Sequence, residues 1–190
     1  MWGRMLRWAW QLPVAVALAG LAILALGIAP AALPAVYLAA VTPQLVRIDV
    51  LDHRLPNRIV LPGVAVGLIA ALLGGAVTGE PPVVPVVAAA AGALLLAVFA
   101  ALGGVGMGDV KLTALIGLAS PTVPIALGAL PAAFLLGGVA ASIVLLRGLL
   151  TGRGQAAGRT HIAFGPYLLA GYWVALVFAI ASGSMAGAGP

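Results

Sequence analysis

A chain of 190 residues that is 64% hydrophobic and only 7% charged lies outside the range of soluble domains, which carry about a quarter charged residues. Its composition is that of an integral membrane protein, read as one domain over residues 1–190. The lack of cysteine excludes disulfides, thiolate metal sites and a cysteine nucleophile, and the net charge of +5 is carried by basic residues scattered singly, which suits membrane topology rather than a nucleic-acid partner.

A spanning helix needs about 20 apolar residues, with about 17 to 25 as the usual range. On that measure the apolar segments at 12–29, 31–47, 59–78, 83–102, 110–127, 128–147 and 163–182 predict an all-α polytopic bundle of about seven transmembrane helices embedded in the lipid bilayer. The opening MWGRMLRWAW, followed by an apolar run that ends near Ala29-Pro30-Ala31-Ala32, resembles a signal peptide. That run is long for one, however, and a proline stands close to the cut site, so a retained first helix is expected. Pro30, Pro43, Pro81, Pro82, Pro121 and Pro131 fall near segment ends, where a missing N–H is least costly. The division between the fifth and sixth segments rests on Ser120-Pro121 and on total length.

With the N-terminus cytoplasmic and seven helices following, all nine basic residues fall on the cytoplasmic side: Arg4, Arg7, Arg47, Arg54, Arg58, Lys111, Arg147, Arg153 and Arg159. The outside turns near 30, 79–82 and 120–127 hold none, as the positive-inside rule requires. The polar stretch from Arg147 to His161 reads as a glycine-rich connector, with a surface for anionic lipid as the alternative. Two histidines far apart, His53 and His161, argue against a zinc centre, and neither a metal nor a cofactor is expected.

The four acidic residues are Asp49, Asp52, Glu80 and Asp109. Glu80, in GEPP, reads as part of a solvated outside turn. The other three fall at cytoplasmic helix ends: Asp49 ends the second helix, Asp52 follows it, and Asp109 opens the fifth. Ionisable groups at membrane depth cost about 2.5–3.5 kcal/mol on insertion scales and face a bundle interior or water, so Asp49 and Asp109, at one depth, suggest a pair. Two carboxylates sharing a proton are the working parts of an aspartic protease. One draws a proton from water while the other hydrogen-bonds the scissile carbonyl, and like charges at close range keep one proton in place near neutral pH. The plainer alternatives are that both aspartates snorkel at the interface, or that Asp109 caps its helix. A small transporter or proton channel using the pair as a relay is the rival function, although such proteins show inverted repeats and midplane charges, and here no repeat is visible and the acids sit at one edge.

Gly103, Gly104, Gly106 and Gly108 leave the backbone before Asp109 free of side chains, so this segment can take φ > 0 and admit an extended peptide. Irregular backbone at membrane depth is tolerated where it lines a cavity. A helix N-terminus at Asp109 favours its ionised form. Lys111 reads either as an interfacial charge on the cytoplasmic edge or as a counter-charge to the pair.

Gly106-Met107-Gly108-Asp109 followed by Val110-Lys111-Leu112 resembles the GxGD motif of the type IV prepilin peptidases, commonly GxGDxKL there. Upstream, Asp49-Val50-Leu51-Asp52-His53-Arg54-Leu55-Pro56-Asn57 resembles the first motif of that family: an aspartate, five variable residues, an aliphatic residue, then Pro and Asn or Asp. Phe164-Gly165-Pro166, at the start of the last segment, resembles its C-terminal FGP element. Presenilin-type proteases share GxGD, so the specificity lies in three motifs in order. The resemblance covers about residues 31–182, a six-helix peptidase core to which the first helix is an addition.

The resemblance implies Asp49 and Asp109 as the catalytic pair, with Gly106, Gly108, Lys111, Phe164, Gly165 and Pro166 in support. Pro56 and Asn57 would shape the turn after the first motif, Asn57 being suited to cap the next helix, and Asp52 is either supporting or simply solvated. The implied activity is removal of a short, positively charged leader from prepilin-like membrane proteins such as type IV pilins and pseudopilins. The cut falls at the cytoplasmic face of the bacterial inner membrane, just before the substrate's apolar helix. A preflagellin peptidase is similar enough to share this reading. Longer members carry a cytoplasmic N-terminal region with paired cysteines, associated with methylating the new N-terminus. A cysteine-free chain with about ten residues before its first segment resembles the short, peptidase-only form, in which N-methyltransferase activity is not expected.

Overall fold

Apolar segments in lipid have no water to satisfy their backbone, so they close their hydrogen bonds within helices. The computed structural model, which describes residues 10–151 and 163–183, shows a helix in each predicted segment: α1 (Gln11–Leu26), α2 (Leu33–Asp52, led in by a 3-10 turn over Pro30–Ala32), α3 (Asn57–Thr78), α4 (Val83–Ala101), α5 (Met107–Leu118), α6 (Val123–Leu150) and α7 (Gly165–Ala181). Among the described residues the fold is all-α with seven helices, as expected. Arg4, Arg7, Arg153, Arg159 and His161, and most of the basic connector, lie outside the described residues. Among the described residues four helices are long and apolar enough to cross a membrane: α2 with its leading turn, α3, α4 and α6.

Two boundaries differ from expectation and both bear on the site. The sequence predicts helices over 110–127 and 128–147, but the break falls at residues 119–122. Pro121 supplies no N–H there, and Pro124 is tolerated in the first turn of α6. As a result α6 extends to 28 residues and α5 has only 12, about 18 Å at 1.5 Å per residue. The second helix, predicted over 31–47, continues to Asp52, so Asp49 sits inside its last turn rather than at its end. Pro43 and Pro131, expected near ends, lie inside α2 and α6, a position that proline tolerates in membrane helices.

Two of the shorter helices, α5 and α7, are interior. Eight of the twelve residues of α5 are buried, and α5 packs against α4, α3, α7 and α2. Helix α7 runs along α6 and also touches α2, α5 and α1. The long helices turn apolar side chains outward instead: Leu94 is 68% exposed and Leu135 is 70%. An apolar belt of this kind suits lipid rather than water. Small residues let the backbones meet. A Cβ added at Gly117 would collide with the backbone of Ala89 in α4, and one at Gly171 would come within 2.5 Å of Ala129 O and Ala133 N in α6.

Tyr172 is fully buried in α7 and donates its hydroxyl to Ala119 O at 2.9 Å. It thereby satisfies one of the carbonyls that the end of α5 leaves without an intrahelical partner. Tyr172→Phe strands that buried carbonyl and is expected to lower stability by about 1–3 kcal/mol. Thermal unfolding in detergent, followed by far-UV circular dichroism, would register this as a lower midpoint with unchanged initial helicity; a wild-type midpoint would show that the bond contributes nothing.

Candidate active site

Helices α2 and α4 end, and α3, α5 and α7 begin, at one end of the bundle. Arg47, Arg54, Arg58, Lys111 and Arg147 lie in helices or connections at that end, while exposed Glu80 lies in the turn between α3 and α4 at the other. The remaining acids therefore gather at one edge of the bundle, away from its midplane.

Asp49, in the last turn of α2, is 4% exposed. The helix closes just beyond it at His53, whose N–H bonds Asp49 O at 2.9 Å and whose φ of 50° places it in the left-handed region, a C-cap conformation that only a minority of non-glycine residues adopt. The Asp49 carboxylate accepts the Gly165 N–H at Oδ2 over 3.0 Å. Gly165 is the first residue of α7, so this N–H is one of the donors that a helix start leaves free, and the helix dipole there favours negative charge. The FGP element thus divides into three tasks. Phe164 packs its ring 5.3 Å from that of Phe134 in α6, Gly165 supplies the donor, and Pro166 occupies the first turn at no cost in hydrogen bonds. Deeper in the bundle, Trp173 Nε1 donates to Thr42 Oγ1 at 3.3 Å and ties α7 to α2 a second time.

Asp109 is the third residue of α5 and is 8% exposed. Its Oδ2 accepts the Gly106 N–H at 3.3 Å. This is half of a capping box, since a glycine at the N-cap has no side chain to return the bond. The capping alternative therefore holds for one oxygen only: Asp109 Oδ1 is buried with no hydrogen-bond partner among the described residues.

The glycines act differently from expectation. Of Gly103, Gly104, Gly106 and Gly108, only Gly103 takes a positive φ, at 80°. Gly106 is extended and Gly108 is helical. Their value is close packing around the carboxylate: a Cβ on Gly108 would lie 2.9 Å from Leu55 Cβ, and one on Gly106 would lie 3.4 Å from Asp109 Oδ2.

Asp49 and Asp109, sixty residues apart in sequence, open on one cleft of about 290 Å³. Leu55, Asn57, Gly106, Gly108 and Lys111 line it with them, as do His53 and Arg54. A larger groove of about 540 Å³ between α4 and α6 is lined by apolar residues alone and holds no group for chemistry.

Three supporting residues can now be placed. Pro56 is the N-cap of α3 and shapes the turn as expected, with ψ of 125°. Because Pro56 takes that position, Asn57 becomes the first helical residue and makes no side-chain cap; the expected cap is not formed. Its Oδ1 instead accepts a hydrogen bond from Lys111 Nζ at 2.9 Å, which links the start of α3 to the start of α5 at the cleft. Asp52 ends α2, is exposed, and does not line the cleft. Sequence reasoning did not find the Gly165 amide or the Leu55 contact. Their motifs were in view, but nothing in the residue types told that these two positions meet the aspartates. Among the described residues no group of three His, Cys, Asp or Glu side chains comes together as a metal site would need.

Two buried carboxylates, each held through one oxygen by a backbone N–H, face a polar cleft at the edge of an apolar bundle. Such a pair can share a proton and exchange it with water and a carbonyl. A family model described as type IV leader peptidase family matches residues 36–146, more than half of the chain. This stretch contains both aspartates, Pro56, Asn57 and the GxGD segment, and it ends before Phe164-Gly165-Pro166. Comparison with curated proteins and with solved structures gives no match.

Proposed function

We infer that this chain, which belongs to the type IV leader peptidase family and is accordingly a multi-pass membrane peptidase, is an aspartic endopeptidase that removes the leader of prepilin-like substrates with Asp49 and Asp109. The observation that carries the inference is the convergence of these two residues, 4% and 8% exposed, on one cleft. In a chain with four acidic residues, two nearly buried acids meeting at one cleft is hard to explain as solvation, because burying ionised carboxylates is costly unless they do work.

The chemistry follows from a shared proton. The ionised carboxylate takes a proton from water as the water oxygen adds to the scissile carbonyl carbon, and the protonated carboxyl gives its proton to the carbonyl oxygen. Collapse of the gem-diol breaks the C–N bond. The leaving nitrogen takes a proton from one carboxyl while the other recovers one from the diol. Asp109 Oδ1, buried and without a hydrogen-bond partner among the described residues, is the oxygen left to meet water or the carbonyl.

The clustering of basic residues at the site end supports a cytoplasmic active site in a bacterial inner membrane. Cleavage next to a substrate's apolar helix suits a cleft at the end of the bundle. Helix α1 packs on α2 and α7 as an added layer, with residues 31–182 as the peptidase core, and a chain without cysteine fits peptidase activity without methyl transfer.

The test is co-expression with a small membrane protein carrying a basic leader, a Gly or Ala, then an apolar helix, read by gel mobility and N-terminal sequencing. The wild type is expected to produce the shortened form, and an uncut substrate would overturn the proposal. Asp52→Asn is expected to cleave within about twofold of wild type, as exposed surface substitutions do; loss of cleavage there would put Asp52 in the place given to Asp49.

A further inference from the structure

We propose that Leu55 is a positioning residue: its side chain is the spacer that sets the separation of the Asp49 and Asp109 carboxylates. The proposal rests on the dyad reading above and adds to it a residue of the connection between α2 and α3.

Leu55 belongs to neither helix. It lies in the four-residue connection between α2 and α3, residues 53–56, half-buried against the core. On one side it meets Gly108, the residue before Asp109: a Cβ on that glycine would lie 2.9 Å from Leu55 Cβ and 3.4 Å from Leu55 N. On the other side it meets Gly165, whose N–H holds Asp49 Oδ2: a Cβ there would lie 3.4 Å from Leu55 Cδ1. A single side chain thus stands between the backbone that presents one carboxylate and the backbone that holds the other.

The spacer is itself fixed at both ends. Upstream, His53 closes α2 through its N–H bond to Asp49 O. Downstream, Pro56 has its φ locked by its ring and accepts the N–H groups of Ile59 and Val60 at 3.0 and 3.2 Å. A connection this short and this constrained transmits the size of its one large apolar side chain to its neighbours. The proton shared by two carboxylates depends on their separation, and reacting groups must sit within fractions of an ångström of their working geometry. An aliphatic residue of fixed volume meets that requirement where a flexible polar side chain would not.

The experiment compares wild type, Leu55→Ala, Leu55→Met and Asp109→Asn, each purified in detergent, on a prepilin-like substrate with a basic leader, a glycine and an apolar helix. Leu55→Ala is expected to lose kcat by about 100-fold, the effect of a displacement near 1 Å, with KM within about twofold because the cleft's polar groups remain. Leu55→Met, which keeps the volume, is expected to recover most of kcat. A rise in KM at unchanged kcat would make Leu55 a substrate contact and overturn the proposal, and so would wild-type kcat in Leu55→Ala. If Leu55→Ala does not fold, judged by its unfolding midpoint, Leu55→Met decides: a folded, inactive Leu55→Met overturns the spacer, and an active one supports it. Activity in Asp109→Asn would instead refute the dyad and leave the spacer with nothing to space.

Discussion

Asp49→Asn and Asp109→Asn are each expected to lower the rate of substrate cleavage by about 10²–10⁴-fold, the range that positioned acid–base groups contribute. The two changes are matched to their surroundings. An asparagine at 49 still offers an oxygen to the Gly165 N–H, and one at 109 still offers an oxygen to the Gly106 N–H. Packing is retained and only the exchangeable proton is lost, so folded but inactive protein is the expected state of both variants. The double variant is expected to be no slower than the slower single one, since residues that act as a unit are strongly non-additive. Independent roles, such as two stations of a proton relay, would multiply instead. Cleavage that survives either substitution sinks the dyad, and multiplicative losses would break it into separate functions.

Much of the fold is legible as apolar runs, because a backbone in lipid has few alternatives to a helix. The limits of α5 are not. Residues 110–127 read as one apolar stretch, and a 12-residue helix is too short to span about 30 Å of hydrocarbon by itself. It is stable because α3, α4 and α7 surround it, which is a tertiary fact without a local signature. That Asp49 and Asp109 line one cleft is legible because charge is so scarce in this chain that two acids at one depth stand out. What holds them is not. The donor to Asp49 is a main-chain N–H 116 residues away, and main-chain donors are the same at every position but proline. Asn57 fails as a predicted cap for a related reason. Propensity places it correctly at a helix start, but its proline neighbour takes the cap position and Lys111, 54 residues on, takes its oxygen.

Gly165→Ala carries the second large effect, and it tests the scaffold rather than the chemistry. A methyl group at that position would lie 2.6 Å from Asp49 Oδ2 and 3.2 Å from its Cγ, well inside contact distance. Asp49 is 4% exposed, and the open space beside it is the cleft that it lines. Either Asp49 turns away or the start of α7 shifts, and both movements break the Gly165 hydrogen bond. A displacement of about 1 Å at a reacting group costs about 100-fold in rate. Overpacking of this kind costs typically about 1–3 kcal/mol, partly offset because alanine is the better helix former. The variant is therefore expected to fold, with a modestly lower unfolding midpoint in detergent, and to cleave about 100-fold more slowly. Gly138→Ala in α6 is the matched control, since a Cβ there meets no atom within 4 Å; it is expected to cleave as wild type and to unfold no earlier. Wild-type cleavage by Gly165→Ala would mean that Asp49 does not need the α7 amide, and it would remove the physical reason for a glycine in that position of the FGP element. A loss shared by Gly138→Ala would point to a general intolerance of the bundle to added methyl groups. Only the contrast between the two glycines ties the start of α7 to the geometry of Asp49.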